Sequence, residues 1–158
     1  MTVEPRAFRD AMGCFASAVT VVSTCAEDRR PVGVTVNSFN SVSLDPPLIL
    51  FCLGLEATNL PYFLAHGRFV VNVLNEDQQD ISSGFAKDGD QFFSEIEFEW
   101  SEHECPVIPG AVAVFECDME TTHDGGDHII LIGRVRNCRH RLDCDPLVYY
   151  RSRYAGVR

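Results

Sequence analysis

Residues 33–48 read G-V-T-V-N-S-F-N-S-V-S-L-D-P-P-L, and this stretch decides how the rest of the 158-residue chain is interpreted. It has few charges, is dense in Thr, Ser and Asn, and ends in a double proline before an apolar segment. Val34, Val36 and Phe39 can face a core, while the hydroxyls, amides and backbone N–H groups between them can bind a planar heteroaromatic ligand. An ordinary β-hairpin with a polar outer face accounts for the same residues equally well.

The composition of the chain is that of a globular protein. Hydrophobic residues make up 46% and aromatic residues 10%, which disfavours disorder. The length fits one domain with one buried core, so we expect residues 1–158 to form a single domain. The formal net charge of −10 argues against a nucleic-acid or anionic-membrane surface, since both reward positive charge.

The cysteines and the polar first ten residues indicate a cytoplasmic location. No signal peptide and no apolar run of membrane-spanning length is visible in the sequence. The thiols form no C-x-x-C pair, which favours reduced and partly buried thiols over disulfides or a structural zinc site. They are Cys14, Cys25, Cys52, Cys105, Cys117, Cys138 and Cys144.

Hydrophobic periodicity predicts many short strands and a few short helices. Helices are expected at residues 5–12, 59–65 and 77–85, with Asn59 capping the second helix and Gly67 ending it. Strands are expected at residues 18–25, 32–37, 48–53, 69–74, 94–100, 111–122, 128–138 and 147–150. Strands at this spacing, with one hairpin through Gly125-Gly126, predict an all-β antiparallel barrel.

Few local motifs point to chemistry. The chain has no G-x-G-x-x-G, Walker-type or G-x-S-x-G sequence. The cluster from His123 to His128, H-D-G-G-D-H, can be a solvated hairpin loop, can hold a metal, or can place His128 at the barrel rim beside a ligand. The run E-A-T-N before the second helix can seat a phosphate or simply cap that helix.

The basic residues divide into two groups. Arg134, Arg136, Arg139 and Arg141 are expected to form a solvated strand face and its exit. Arg151 and Arg153 are better placed to contact a phosphate, and Lys87 beside a Gly-containing loop is another candidate.

Six stretches taken in order resemble one family, the short-chain flavin reductases with an FMN-binding split barrel, which serve as reductase components of two-component flavin monooxygenases. The resemblance covers nearly the whole chain. Besides residues 33–48, the matching stretches are F-R-D-A-M-G-C-F-A-S-A-V-T-V-V from Phe8, F-V-V-N-V-L from Phe69, G-A-V-A-V-F-E-C from Gly110, G-D-H-I-I-L-I-G-R-V from Gly126 and P-L-V-Y-Y from Pro146.

The resemblance implies a homodimer of six-stranded antiparallel Greek-key split barrels with short flanking helices and with flavin near the dimer interface. It implies that Thr35, Val36, Asn37, Ser38 and Ser41 line the isoalloxazine ring. The ribityl and phosphate portion then falls to Phe51, Cys52, Leu53, Ala57, Thr58 and Asn59. Ser83, Phe85 and Ala86 close the pocket, and His128 with the region of Tyr149, Arg151 and Ser152 binds the nicotinamide.

The resemblance therefore implies an NAD(P)H-dependent flavin reductase that supplies reduced FMN or FAD to a partner oxygenase, with His128 orienting the nicotinamide. Two positions depart from the family pattern. Ala57 stands where a serine is common, and D-Q-F at residues 90–92 replaces D-K-F. Both changes are expected to weaken phosphate binding. Two alternatives remain. One is a split-barrel flavoprotein that retains FMN; the other is a ligand- or metal-binding barrel without redox turnover.

Overall fold

The computed structural model describes residues 3–87 and 91–157. Its helices are α1 (Pro5–Met12), α2 (Leu60–His66) and α3 (Gln79–Phe85), followed by a short 3-10 helix at Gln91–Glu95. Pro5 opens α1, where a missing N–H costs nothing, and Gly67 ends α2 with a positive φ of 68°. None of these helices is long and apolar enough to cross a membrane. The three predicted α-helices are confirmed.

The strands differ in burial: residues alternate between buried and partly exposed along Pro47–Gly54, whereas all six residues of Thr20–Cys25 are buried. Their bounds are β1 (Ser17–Ala18), β2 (Thr20–Cys25), β3 (Pro31–Val36), β4 (Asn40–Leu44), β5 (Pro47–Gly54), β6 (Arg68–Val73), β7 (Glu99–Trp100), β8 (Pro106–Val107), β9 (Ala113–Gly125), β10 (His128–His140), β11 (Val148–Tyr150) and β12 (Arg153–Ala155). The predicted strand at residues 18–25 bends at Val19: β1 pairs with β11, whereas β2 pairs with β3 and β6.

The main sheet has seven antiparallel strands in the order β3-β2-β6-β9-β10-β5-β4. Its two end strands, β3 and β4, are joined by only three residues, so the sheet curls round on itself. Six strands supply the side chains of the enclosed core, and the seventh, β4, is largely exposed. The expected all-β antiparallel barrel is confirmed; the strand count of the sheet exceeds the expected six because β4 lies outside the core.

The interior of the barrel is filled by branched and aromatic side chains. Phe51 contacts Phe63 and Phe69 edge to face, with ring centroids 5.8 and 5.0 Å apart. The other buried members of this cluster are Val22, Val36, Ile49, Leu53, Leu60, Val71, Cys117 and Leu131. The interior of the barrel is therefore filled by closely packed side chains.

A second core lies outside the barrel wall, under α3 and the 3-10 helix. Phe85 and Phe93 pack with ring centroids 4.6 Å apart and, together with Leu147, cover Val19 and Val21. β11 and β12 form a C-terminal hairpin against this core, so they bring the end of the chain next to β3.

The predicted strand at residues 94–100 is wrong over most of its length. Only Glu99–Trp100 pairs, with Pro106–Val107, and the preceding residues belong to the 3-10 helix and a loop. Ile96 and Phe98 still face the second core, and the Phe93 and Phe98 rings lie 5.1 Å apart. The apolar–acidic alternation was real, but without a ladder partner it does not make a strand.

Candidate functional site

The candidate site lies where β3 and β5 diverge. The chain changes direction after Val36. Beyond this point the Ser38 side chain, and not a paired strand, forms hydrogen bonds with the backbone of β5. Ser38 Oγ accepts from the Cys52 N–H at 2.9 Å and lies 3.4 Å from the Cys52 carbonyl oxygen, to which it can donate. Two residues later, Asn40 begins β4 and pairs with Leu50 of β5. The gap beyond Ser38 opens into a cavity.

This cavity, called here the β3–β5 cavity, has a volume of about 490 Å³, within the usual range for small-molecule sites. Apolar side chains form its walls and neutral polar groups its rim. Its lining residues are Val34, Thr35, Val36, Asn37, Ser38, Cys52, Leu53, Gly54, Ala57, Gly125, His128 and Ile130. Within the described residues no carboxylate or guanidinium lines it.

His128 stands at the rim of the β3–β5 cavity with its side chain 49% exposed. Its strand neighbours on both sides are glycines, Gly54 and Gly125, which leave the imidazole uncrowded. His128 Nδ1 lies 2.7 Å from Asp127 Oδ1, and this hydrogen bond lowers the pKa of the Asp127 carboxyl. Because an ionised carboxylate only accepts, Nδ1 donates and Nε2 remains available to a ligand.

Two further cavities adjoin the first. The α1 cavity, of about 520 Å³, is lined by Arg9, Met12, Gly13, Phe15, Ser17, Asn37, Ser38, Phe39, Asn40, Tyr149 and Ser152. The α3 cavity, of about 190 Å³, is lined by Val19, Thr35, Val36, Asn37, Ser82, Ala86, Tyr149 and Tyr154. Asn37 lines all three, and its carboxamide makes no hydrogen bond to any other described residue.

The hydroxyls around Asn37 are mostly engaged within the protein. Thr35 Oγ1 donates to the Ser82 carbonyl at 2.7 Å, and Ser82 Oγ lies 2.9 Å from the Tyr154 hydroxyl. Tyr154 in turn packs edge to face on Tyr149 with centroids 5.6 Å apart. These contacts fasten β3 to α3 and to the C-terminal hairpin, so the walls of the α3 cavity are held together.

Ten of the residues expected to contact the flavin or the nicotinamide line these cavities, and so does His128. The ten are Thr35, Val36, Asn37, Ser38, Cys52, Leu53, Ala57, Ala86, Tyr149 and Ser152.

Seven expected residues, Asn59 among them, do not line these cavities. Ser41 and Thr58 are exposed, Phe51 and Phe85 are buried in the two cores, and Arg151 stacks on Tyr150 at 5.1 Å. Ser83 lies 3.4 Å from the Tyr154 hydroxyl, behind the α3 cavity. Of the D-Q-F motif, Asp90 lies outside the described residues.

The Asn59 side chain forms a hydrogen bond with the barrel and does not cap its own helix. The predicted side-chain cap is wrong: no cap hydrogen bond forms, since Pro61 has no N–H and the Tyr62 N–H donates to the Asn59 backbone carbonyl at 3.1 Å. Asn59 Nδ2 instead donates to the Gly33 carbonyl at 3.4 Å, and its Oδ1 is buried without a partner in the described part of the chain.

Sequence reasoning missed several lining residues. Gly54 and Ile130 could have been found from strand register opposite His128, since both lie in strands that flank or contain it. Arg9, Phe15 and Tyr154 carry no local signal, because only the docking of α1 and of the C-terminal hairpin brings them to Asn37.

A larger cavity, of about 550 Å³, lies elsewhere, between α2 and the β2–β3 turn. Arg30 stacks on Tyr62 there, and burial lowers the pKa of His66. None of the expected site residues lines it. No group of three or more His, Cys, Asp or Glu residues in the described ranges is arranged to hold a metal ion.

Comparison with known proteins gives consistent matches. A family model described as "Flavin reductase like domain" matches residues 12–158. FMN reductase (NADH) SmoA of Agrobacterium fabrum is 43% identical over 144 residues, covering 91% of this chain and 81% of SmoA. The reductase component of the flavin-dependent trigonelline monooxygenase of Acinetobacter baylyi is 42% identical over 149 residues, covering 94% of this chain. The chain spans about half the length of that protein, 48%.

Solved structures share the fold closely. The NADH:FAD oxidoreductase SgcE6 of Streptomyces globisporus, in complex with NAD and FAD fragments, superposes with a TM-score of 0.91. It is 33% identical, and the match covers 98% of this chain and 95% of SgcE6.

Proposed function

Because the chain belongs to the flavin reductase like domain family, we propose that it is an NAD(P)H:flavin oxidoreductase that supplies reduced FMN or FAD to a partner monooxygenase. SmoA and SgcE6 are named for NADH-dependent reduction of FMN and FAD respectively. The Acinetobacter relative is named as the reductase component of a monooxygenase, which supports the partner.

The observation that carries the proposal is the position of Asn37. Its uncommitted carboxamide lies where three cavities meet, beside apolar walls from Val34 and Leu53. An isoalloxazine edge presents carbonyls and ring nitrogens, which need neutral donors and acceptors, while its face needs an apolar surface. The donor set of the β3–β5 cavity therefore fits a flavin.

Flavin and nicotinamide supply the hydride chemistry themselves when both are bound, and the protein has to bind, align and shield them. The Asn37 carboxamide and the backbone of residues 35–38 hold the ring edge and support negative charge that develops there. Val34, Leu53 and Ile130 exclude water from one face. The α1 and α3 cavities leave room for the second nucleotide beside Asn37.

His128 orients the nicotinamide in this proposal. Asp127 fixes the ring through Nδ1, which leaves Nε2 to accept from or donate to the carboxamide of the co-substrate. The site needs no acid or base for hydride transfer, so we assign His128 an orienting role.

The rest of the proposal concerns assembly and location. We propose a homodimer, because α1 buries none of its residues and Phe8, Met12 and the following Phe15 are 57, 54 and 66% exposed. We propose a single domain, since the family match covers most of the chain. The seven cysteines are all free, which agrees with a reducing cytoplasm.

The test is oxidation of NADH and of NADPH under air by purified protein freed of flavin, titrated separately with FMN, FAD and riboflavin. Saturable, flavin-dependent turnover with release of reduced flavin is the expected result. Protein that stays yellow through flavin removal and shows no turnover would support the alternative that FMN is retained, and colourless protein that is inactive with every flavin would overturn the proposal.

A further inference from the structure

The arginines of this acidic chain fall into two sets. Every arginine from Arg29 to Arg141 lies within 4.0 Å of a carboxylate. The pairs are Arg29–Glu104, Arg30–Asp28, Arg68–Glu104, Arg134–Glu120, Arg136–Asp118, Arg139–Glu116 and Arg141–Asp143. Arg6, Arg9, Arg151 and Arg153 form no ion pair with any described residue. Among the described residues, the unpaired arginines are thus confined to α1 and the C-terminal hairpin, and the exposed Lys87 lines none of the three cavities around Asn37.

These two elements meet beside the α1 cavity. The Arg151 N–H donates to the Gly13 carbonyl at 2.8 Å, which joins the hairpin turn to the end of α1. Arg151 and Ser152 form that turn with positive φ values of 47° and 60°, a backbone that non-glycine residues adopt rarely. The turn places Ser152 in the lining of the α1 cavity, opposite Arg9 on the helix.

Arg9 is the one charged side chain among the described residues that line the α1 cavity. The remaining polar groups there are neutral, and Phe15, Phe39 and Tyr149 are its aromatic lining residues. An unpaired guanidinium among neutral donors, in a chain of net charge −10, is where an anionic ligand meets least repulsion. Aromatic side chains beside it suit a ligand that carries both phosphate and heteroaromatic groups.

We propose that Arg9 binds the pyrophosphate of the nicotinamide dinucleotide and that the α1 cavity is the site of that co-substrate. This inference rests on the proposed function. The α1 cavity touches the β3–β5 cavity at Asn37 and Ser38, so a dinucleotide in it can lay its nicotinamide against a flavin in the other. The phosphate of the flavin is expected near Ala57, which lines the β3–β5 cavity and not the α1 cavity.

The test compares Arg9→Gln with Arg6→Gln in steady-state kinetics. Arg6 is exposed and unpaired on the same helix but does not line the cavity, so its substitution removes the same charge from the chain. Loss of one solvent-accessible charge-assisted contact should raise the KM for NADH in Arg9→Gln roughly 5- to 20-fold, less at high salt. The kcat and the KM for flavin should stay near the wild-type values, and Arg9→Lys should restore part of the NADH affinity.

Reduced nicotinamide riboside, which lacks both phosphates and the adenosine, provides the second arm. The KM for this truncated co-substrate should differ between Arg9→Gln and wild type far less than the KM for NADH does. Equal KM values for NADH in Arg9→Gln and Arg6→Gln would overturn the role of Arg9. A shift in the KM for flavin instead would assign Arg9 to the flavin phosphate, and wild-type protein without turnover would overturn the proposed function itself.

Discussion

The Ser38 hydroxyl lies between the backbone N–H and carbonyl of Cys52, at 2.9 and 3.4 Å, in the position that a neighbouring strand would occupy. In the β4–β5 ladder Asn40 faces Leu50, so continuing that register places Ser38 opposite Cys52. The side chain therefore completes the ladder of β5 while the backbone of residues 37–39 turns from β3 to β4. This side-chain hydrogen bond lets β3 and β5 separate while the Cys52 N–H keeps a partner.

Ser38→Ala should weaken this seam. The variant leaves the Cys52 N–H without its partner, and we expect a loss of about 1–2 kcal/mol in the free energy of unfolding, measured by urea denaturation. Flavin affinity should fall as well, because the wall of the β3–β5 cavity loosens. Ser41→Ala is the control: Ser41 is exposed, and its variant should unfold like wild type. Equal stability of the two variants would contradict the role of Ser38.

Gly33→Ala should destabilise the protein through crowding. A Cβ at Gly33 would lie 2.7 Å from the Phe85 ring and 2.9 Å from the Phe93 ring, both buried in the second core. We expect a loss of about 1–3 kcal/mol. A Cβ at Gly54 meets nothing within 4 Å, so Gly54→Ala should leave stability within about 0.5 kcal/mol of wild type. A Gly33→Ala variant as stable as Gly54→Ala would show that the aromatic rings move aside freely.

His128→Ala should affect the nicotinamide more than the flavin. Removal of Nε2 deletes one ligand contact, and we expect the KM for NADH to rise roughly three- to tenfold with a smaller change in the KM for flavin. Asp127→Asn keeps the imidazole but weakens its anchoring, so it should fall between wild type and His128→Ala. Unchanged NADH kinetics in His128→Ala would remove this residue from the nicotinamide site.

Alkaline pH should destabilise the fold through two buried thiols. Burial raises the pKa of Cys105 from its ordinary value of 9.0 to about 12, and burial beside Asp118 and Glu116 also raises that of Cys117. The unfolded chain releases these protons near pH 9, whereas the folded protein holds them, so stability falls as pH rises from about 9 towards 12. Each thiol contributes a slope of about 1.4 kcal/mol per pH unit.

The measurement is the urea midpoint of wild type, Cys105→Ala and Cys14→Ala between neutral pH and the alkaline limit of reversible unfolding. Cys105→Ala should be less stable at neutral pH but should lose stability less steeply above pH 9. Cys14 is exposed, so Cys14→Ala should keep the wild-type slope. Parallel slopes in all three proteins would refute the contribution of Cys105.

Much of the fold was predictable because its signals are local. The β-branched run at residues 18–25 and the apolar run at 48–53 correspond to β2 and β5, and Gly67 and Gly126 have the positive φ that their turns require. The prediction at residues 94–100 was wrong because pairing, which decides a strand, is not local. β4 was not separately predicted, since its burial is too low to leave an apolar pattern.

The candidate site divides in the same way. Asn37 and His128 could be singled out from the sequence because polar residues interrupt apolar strands there. The engagement of Thr35 with Ser82 and of Ser38 with Cys52 could not, since each bond joins elements far apart in sequence. Nor does any local pattern separate Arg9 from Arg6 on α1; only the docked C-terminal hairpin does so.

The sequence by itself determined the alternation of apolar and polar residues, the turns, the acidic charge and the family, because these depend on residue identity and order. The tertiary structure decided which polar groups form hydrogen bonds within the protein and which remain available to a ligand. That division follows from hydrogen-bond geometry between distant segments: Ser38 is satisfied by Cys52, whereas Asn37, one residue before it, faces three cavities with its carboxamide uncommitted within the described chain.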